Sequence, residues 1–178
     1  MRKIKIAKIK KITRRNLINK KIDQIELDFE KAKNEVIEIL EKNRIWALAT
    51  SLNDKVTSRS VSIVNCGLNI YFQTSKSFEK YKQISENKNV SLCYFNVSVE
   101  GFAYDIGSWH DKENREILKI YKEIHPDSYK NYGSLKNEVV IKVVPQKITI
   151  WKYLEGKPYR DYIYVPEEKA FRELYQED

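Results

Sequence analysis

The chain has 178 residues, of which 42% are hydrophobic and 12% aromatic, and this is enough for one domain with a buried core. No apolar run approaches the roughly 20 residues of a membrane-spanning helix, and lysines interrupt the isoleucines near the N-terminus, so neither a transmembrane segment nor a signal peptide is predicted. Cys66 and Cys93 lie far apart, and two histidines cannot build a zinc site. We therefore expect no metal centre and a reducing, cytoplasmic environment.

The net charge of +8 is unevenly distributed along the chain. Met1–Lys21 contains ten Lys or Arg and no acid, whereas the rest of the chain holds 23 basic and 25 acidic side chains. These counts predict a flexible basic extension over residues 1–21 and a single domain over residues 22–178. The extension either stays solvated or contacts nucleic acid or anionic lipid, and its composition alone allows all three.

Hydrophobic periodicity predicts a domain of many strands and few helices. Apolar residues recur at helical spacing over Asp28–Asn43, with Asp28 as the N-cap. Polar and apolar residues alternate over Val56–Val64, as expected for a half-buried strand. Further strands are predicted, in chain order, at Ile45–Leu52, Leu68–Gln73, Val90–Asn96, Ser98–Gly107, Glu138–Val144, Lys147–Leu154 and Tyr159–Val165. Further helices are predicted at Ser77–Glu86, Asp111–Ile124 and Glu167–Tyr175.

Tight turns join most of these strands, which is typical of an antiparallel barrel. A parallel α/β sheet would need a helix after most strands. Pro145 is expected to end the strand before it, because proline has no backbone N–H to donate. The short helix is expected to bury Phe78, Tyr81 and Ile84.

Hydroxyl and basic residues flank that short helix. Thr74 and Ser75 end the strand before it, Lys80 lies in its first turns, and Arg59 lies on a neighbouring strand. Unpaired N–H groups at a helix start, hydroxyls and two cations together suit a phosphate monoester. Each residue also has a simpler reading, namely a solvated cation for Arg59 and Lys80 and a helix cap for Thr74 and Ser75.

Three segments resemble the pyridoxamine 5′-phosphate oxidase-like flavoproteins, also called FMN-binding split barrels. They are LATSLNDKVTSRSVSIV, FQTSKSFEKYKQISENKNVSL and the turn Val99-Glu100-Gly101, and the resemblance covers about residues 29–171. It implies a mainly β (α+β) fold, a six-stranded antiparallel split β-barrel with peripheral helices. It also implies FMN as the cofactor, rather than FAD or NAD, since no glycine-rich dinucleotide turn is present.

The resemblance also implies roles for individual residues. Arg59 and Lys80 would contact the FMN phosphate, and Thr74 and Ser75 would supply further donors. Glu79 occupies a position that is basic in many relatives, which implies weaker FMN binding. Near the flavin ring the resemblance places Ser60, Val61, Ser62, Gln73, Asn96, Trp109 and Trp151. Asn96 can also be read as a hairpin-end residue and Trp151 as a core aromatic.

The substrate side departs from pyridoxamine phosphate oxidase itself. Val64 stands where that enzyme has a lysine, and Arg160 stands without the accompanying histidine. We therefore do not expect a vitamin B6 phosphate as substrate. The function implied is an FMN-dependent oxidoreductase with unassigned substrate and catalytic residues, using NAD(P)H as a possible electron donor. The alternatives are a flavin- or haem-binding stress-response or sensor protein without turnover, and a nucleic-acid-binding protein.

The strands contain more aromatic residues than a monomeric core of this size needs. Because side chains alternate along a strand, some of these residues must point away from the barrel interior. In the resembling family such a surface joins two subunits. We therefore expect a homodimer with a flavin at the interface, in which Asn96 or Trp109 comes from the second chain.

Overall fold

The computed structural model describes residues 24–175. The predicted basic extension Met1–Lys21 lies outside the described residues. Nine strands and four α-helices are described in this part of the chain, with a short 3₁₀ turn before α3. The strands are β1 Gln24–Leu27, β2 Ile45–Leu52, β3 Lys55–Cys66, β4 Asn69–Ser75, β5 Asn89–Tyr94, β6 Val97–Asp105, β7 Glu138–Leu154, β8 Lys157–Tyr164 and β9 Lys169–Leu174. The helices are α1 Phe29–Lys42, α2 Glu79–Glu86, α3 Arg115–Ile124 and α4 Pro126–Tyr132.

Six of the strands close into an antiparallel barrel, as predicted. The sheet order is β1-β9-β8-β7-β4-β3-β2-β5-β6, and an additional pairing of β7 with β6 closes the barrel. The 17 residues of β7 pair with β6 along one edge, while on the other edge the first half pairs with β4 and the second half with β8. Strands β8, β9 and β1 therefore extend the sheet beyond the barrel.

Alternation along the strands fills the barrel with aliphatic side chains. Val61, Ile63 and Phe72 point inward and are buried, while Ser60 and Ser62 lie on the outer face of β3. A separate cluster forms outside the barrel, where Trp109 and helix α3 pack on β3, β4 and β7. This second cluster comprises Val64, Trp109, Ile117, Tyr121 and Val140.

Barrel closure depends on a close approach of backbones at Gly101. The pairing of β6 with β7 shifts register between Glu100 and Gly101, which marks a β-bulge. A Cβ atom on Gly101 would lie 2.6 Å from the carbonyl oxygen of Val144, which is closer than real Cβ contacts allow. Only glycine fits here without moving one of the two strands.

Two sequence-based predictions about the C-terminal half were wrong. Pro145 does not end a strand but lies inside β7, opposite Gly101 at the bulge, where the ladder is already interrupted. The segment Glu167–Tyr175 forms strand β9 rather than a helix, although Glu, Lys and Ala favour helices. Its Ala170 is buried against the core, and pairing with β8 outweighs the local propensity.

Smaller differences concern the short helix α2 and two elements that the sequence did not predict. Phe78 is the N-cap of α2 and is exposed, so the buried face consists of Gln83, Ile84 and part of Tyr81. Strand β1 and helix α4 were not predicted. None of the helices in residues 24–175 has the length and apolar character needed to span a bilayer.

Candidate functional site

Arg59 lies on β3 at one end of the barrel, beneath helix α2. Its side chain shares the inward face of the strand with Val61, but it lies beyond the aliphatic core and is half-buried. The guanidinium donates to the hydroxyls of Thr50 and Thr57 on two neighbouring strands, at 2.5 Å for Thr50 Oγ1. Arg59 is therefore held at the mouth of the barrel rather than extended into solvent.

Lys80 in the first turn of α2 supplies a second cation, and its Nζ atom lies 4.7 Å from the centre of the Phe78 ring. Burial lowers the pKa of Lys80, and the positive charge of Arg59 lowers it further, while Glu138 acts in the opposite direction. Burial also lowers the pKa of Arg59. The nearest acid in sequence, Glu79, is paired with Lys55 at 2.7 Å. Two half-buried cations thus act on each other's charge at α2, an arrangement that an anionic ligand would stabilise.

The start of α2 leaves backbone donors open beside these cations. Its N-cap residue is Phe78, which makes no side-chain hydrogen bond to the helix. The hydroxyl groups of Ser75 and Ser77 lie 2.9 Å apart just before the helix, and Thr74 is buried at the end of β4. A helix N-terminus without a side-chain cap offers N–H groups and a partial positive charge to an external anion.

A second line of hydrogen bonds reaches the site from the outer cluster. The indole N–H of Trp109 donates to Gln73 Oε1 at 2.7 Å. Glu138 lies near Gln73 and Lys80, and burial raises its pKa while these two neighbours lower it in part. Trp109 is 1% exposed and stacks on Tyr121, with ring centroids 4.3 Å apart. In this chain Trp109 therefore orients Gln73 from the core and does not overhang an open slot.

Asn96 and Trp151 lie away from Arg59 and helix α2. Asn96 is at the tip of the β5–β6 hairpin, and its side-chain amide donates to the carbonyl oxygen of Trp151 at 2.6 Å. The Trp151 ring stacks on Arg160, whose guanidinium carbon lies 4.8 Å from the ring centroid. This tip is at the opposite end of β5 from Val90, the residue that pairs with Thr50 beside Arg59. Both residues line a groove of about 680 Å³ formed with Glu35, Ile39, Phe95, Ile150, Lys152, Tyr153 and Leu154.

The structure therefore brings together only part of the predicted set. Arg59, Lys80 and the β4 end at Thr74 and Ser75 lie around α2, whereas Gln73 and Trp109 meet each other at the outer cluster. Ser60 and Ser62 lie on the outer face of β3, and Val61 between them is buried in the core, so its side chain faces away from that surface.

Sequence reasoning missed Thr50, Thr57, Gln83 and Glu138. Gln83 is 3% exposed on the face of α2 that covers the barrel, and its carbonyl oxygen accepts from Thr50 and Thr57. Its spacing of three residues from Lys80 was an available signal, because residues i and i+3 share a helix face. For Glu138 the only signal was its place at the start of a predicted strand.

Fold and site together define the class of protein: a closed six-stranded antiparallel barrel with an uncapped helix start and two cations at one end. No family model matches the chain. The chain is 34% identical over 70 residues to General stress protein 26 of Bacillus subtilis (strain 168). That match covers 39% of this chain and spans only 49% of the relative's length.

Solved structures with the same fold cover more of the chain. General Stress Protein 26 from Bacillus anthracis str. Sterne has a TM-score of 0.54 and 22% identity, covering 66% of this chain and 91% of that chain. A pyridoxamine 5′-phosphate oxidase-related, FMN-binding protein from Nostoc punctiforme PCC 73102 has a TM-score of 0.56 and 11% identity, covering 82% and 97%. The heme storage protein HutZ from Vibrio cholerae has a TM-score of 0.58 and 11% identity, covering 66% and 93%. The structural neighbours are thus pyridoxamine 5′-phosphate oxidase-like split-barrel proteins, and the chain has their fold.

Proposed function

We propose that this chain is an FMN-binding oxidoreductase whose cofactor phosphate is held between Arg59 and Lys80. The observation that supports this most strongly is the pair of partly desolvated cations beside the uncapped start of α2. A phosphate dianion would satisfy both charges and the open N–H groups at once. The similarity to an FMN-binding protein of the same fold supports the same ligand.

Bound FMN would supply hydride or electron transfer, and the substrate is unassigned. The chain's own residues would bind and orient the cofactor. Arg59 and Lys80 would fix the phosphate, and the hydroxyls of Thr74 and Ser75 would add donors beside it. Glu138 lowers the positive potential at Lys80, so the site is expected to bind FMN less tightly than a cradle with cations alone.

We further propose that the ring site is completed by a second copy of the chain. Asn96 and Trp151 lie at the far end of the barrel from Arg59, so they can reach a flavin there only from another subunit. Their groove is edged by Phe95, which is 93% exposed at a hairpin tip, and by Tyr153, which is 69% exposed. Large exposed aromatics around a groove favour a protein interface. Sedimentation of the flavin-loaded protein at micromolar concentration should give a dimer mass, and a mass near 21.2 kDa would contradict it.

Phosphate recognition can be tested by comparing FMN with riboflavin, which has the same ring and no phosphate. The variant Arg59→Ala/Lys80→Ala should lose FMN binding, because each charge-assisted contact contributes about 1.5–3 kcal/mol, or about tenfold to a hundredfold in Kd. The affinity for riboflavin should be weak in the wild type and the same in the variant. The control Lys82→Ala/Lys119→Ala removes the same charge from exposed helix positions and should bind FMN normally. Unchanged FMN affinity in the Arg59/Lys80 variant would refute the site.

A second candidate is a flavin- or haem-binding protein without turnover. The similarity to General stress protein 26 and to a heme storage protein favours it. Of the two histidines, His125 is engaged, with its Nε2 atom 3.0 Å from the Ile63 carbonyl oxygen, whereas His110 is exposed and could serve as an iron ligand. The absorption spectrum of the isolated protein separates flavin from haem. NADH consumption in the presence of an electron acceptor separates turnover from binding alone.

A further inference from the structure

A buried amide links helix α2 to the two strands beneath the proposed phosphate site. Gln83 is 3% exposed, and its Oε1 atom accepts from Thr50 Oγ1 at 2.5 Å and from Thr57 Oγ1 at 2.8 Å. Thr50 and Thr57 face each other across β2 and β3, so one oxygen spans both strands. Arg59 donates to the same two hydroxyls, and its Nη2 atom lies 3.5 Å from Gln83 Oε1.

The direction of these hydrogen bonds is fixed by chemistry. A guanidinium can only donate, so both threonine hydroxyls accept from Arg59. Each hydroxyl has a single proton, which it donates to Gln83 Oε1. The network therefore begins at a cation and ends at a neutral carbonyl oxygen. The Gln83 amide is the group that lets both hydroxyls accept from Arg59 while keeping their own protons paired.

From this arrangement we infer that Gln83 is a positioning residue that holds Arg59 in place for the anion. The inference rests on the proposed function, in which Arg59 and Lys80 bind a phosphate. Gln83 lies three residues after Lys80 on α2, so it sets the position of the helix cation relative to the strand cation. Without this link, repulsion between the two charges would favour a guanidinium turned toward solvent.

The absence of charge on Gln83 matters as much as the hydrogen bonds that its side-chain oxygen accepts. A glutamate at this position could accept the same two hydrogen bonds, because it has nearly the same shape. Its carboxylate would also pair with Arg59 and cancel the charge on which an anion depends. The site thus requires an uncharged hydrogen-bond acceptor at position 83, which glutamine provides and glutamate does not.

The test compares Gln83→Met, Gln83→Glu and the control Gln146→Met by FMN fluorescence quenching. We expect about a tenfold weaker FMN affinity in Gln83→Met and a larger loss in Gln83→Glu, with riboflavin binding unaffected in both. The loss in Gln83→Glu should shrink as the pH falls and the new carboxyl group protonates. Gln146 is half-buried on β7 and bonds only nearby carbonyls, so its variant should bind FMN normally. Equal FMN affinity in all three variants would overturn the inference.

A flavin-free measurement separates this inference from the proposed function. Rotation about the Cζ–Nη bonds of Arg59, measured by NMR on ¹⁵N-labelled protein, should be slow in the wild type and faster in Gln83→Met. Unchanged rotation would overturn the positioning role whatever the protein binds. Faster rotation in the variant, together with a wild-type protein that binds no FMN, would support the positioning role and refute the FMN proposal.

Discussion

Removing the charge of Asp161 should destabilise the junction between the barrel and its extension. Asp161 is 2% exposed on β8, and Arg172 on β9 donates to both of its oxygens, at 2.6 and 2.7 Å. Lys152 on β7 lies 2.8 Å from Asp161 and also pairs with Glu35 of α1 at 2.7 Å. One carboxylate therefore joins four elements.

The expected magnitude follows from this burial. Breaking a buried ion pair by removing one partner typically costs about 3–5 kcal/mol. Arg172 and Lys152 keep some contact with water and Lys152 keeps Glu35, so we expect about 2–4 kcal/mol for Asp161→Asn. The variant Glu116→Gln, which breaks the exposed pair with Lys119, should cost under about 0.5 kcal/mol.

The assay is urea unfolding of both variants and the wild type as a function of pH. Burial alone would raise the pKa of Asp161, but the hydrogen bonds from Arg172 and Lys152 outweigh burial and lower it. Its stabilisation is therefore present above the unfolded-state pKa and is lost as the pH falls through the lower folded-state pKa. The gap between wild type and Asp161→Asn should narrow in acid. A loss no larger than that of Glu116→Gln at neutral pH would refute this reasoning.

Three further predictions concern the barrel closure, the phosphate site and the N-terminal extension. Gly101→Ala should lower the free energy of unfolding by about 1–3 kcal/mol, because its Cβ would press on the Val144 carbonyl, and thermal denaturation would measure this. Glu138→Gln should strengthen FMN binding and weaken its pH dependence. Burial raises the pKa of Glu138, so protonation of the wild-type carboxyl group near Lys80 strengthens binding as the pH falls, and the glutamine lacks this step; FMN titrations of both proteins over a falling pH series would decide. Deleting Met1–Lys21 should leave folding and FMN affinity intact, and a truncated protein that unfolds would show that this segment packs on the domain.

How far the sequence predicts the fold depends on how local the signal is. Alternation along β3 was enough to predict its buried and exposed faces, because one face of a barrel strand must be apolar. The segment that becomes β9 has helical composition, and only pairing with β8 decides its structure. Pro145 misled for a similar reason, since it is accommodated at a register shift in the β6–β7 ladder, and its partner there, Gly101, lies 44 residues earlier in the chain.

The candidate site divides in the same way. Arg59 and Lys80 could be singled out from the sequence because a basic residue beside a strand–helix junction suggests an anion. For Gln83 the only signal was its spacing of three residues from Lys80, which does not show burial, because a glutamine on a short amphipathic helix is usually solvent-exposed. Its partners Thr50 and Thr57 become neighbours only through the register of β2 and β3.

The pairing of β1 with β9 has a consequence for the order in which the protein is made. Gln24 lies opposite Glu173, so the first described strand has no partner until β9 has left the ribosome. The strands of the barrel can pair before that moment, because β2 to β7 all precede β8 in the chain. Helix α1 follows β1 directly and contacts β8 and β9 as well as β3. We therefore expect a barrel that assembles first and a strand β1 that docks last, once β9 has formed beside β8.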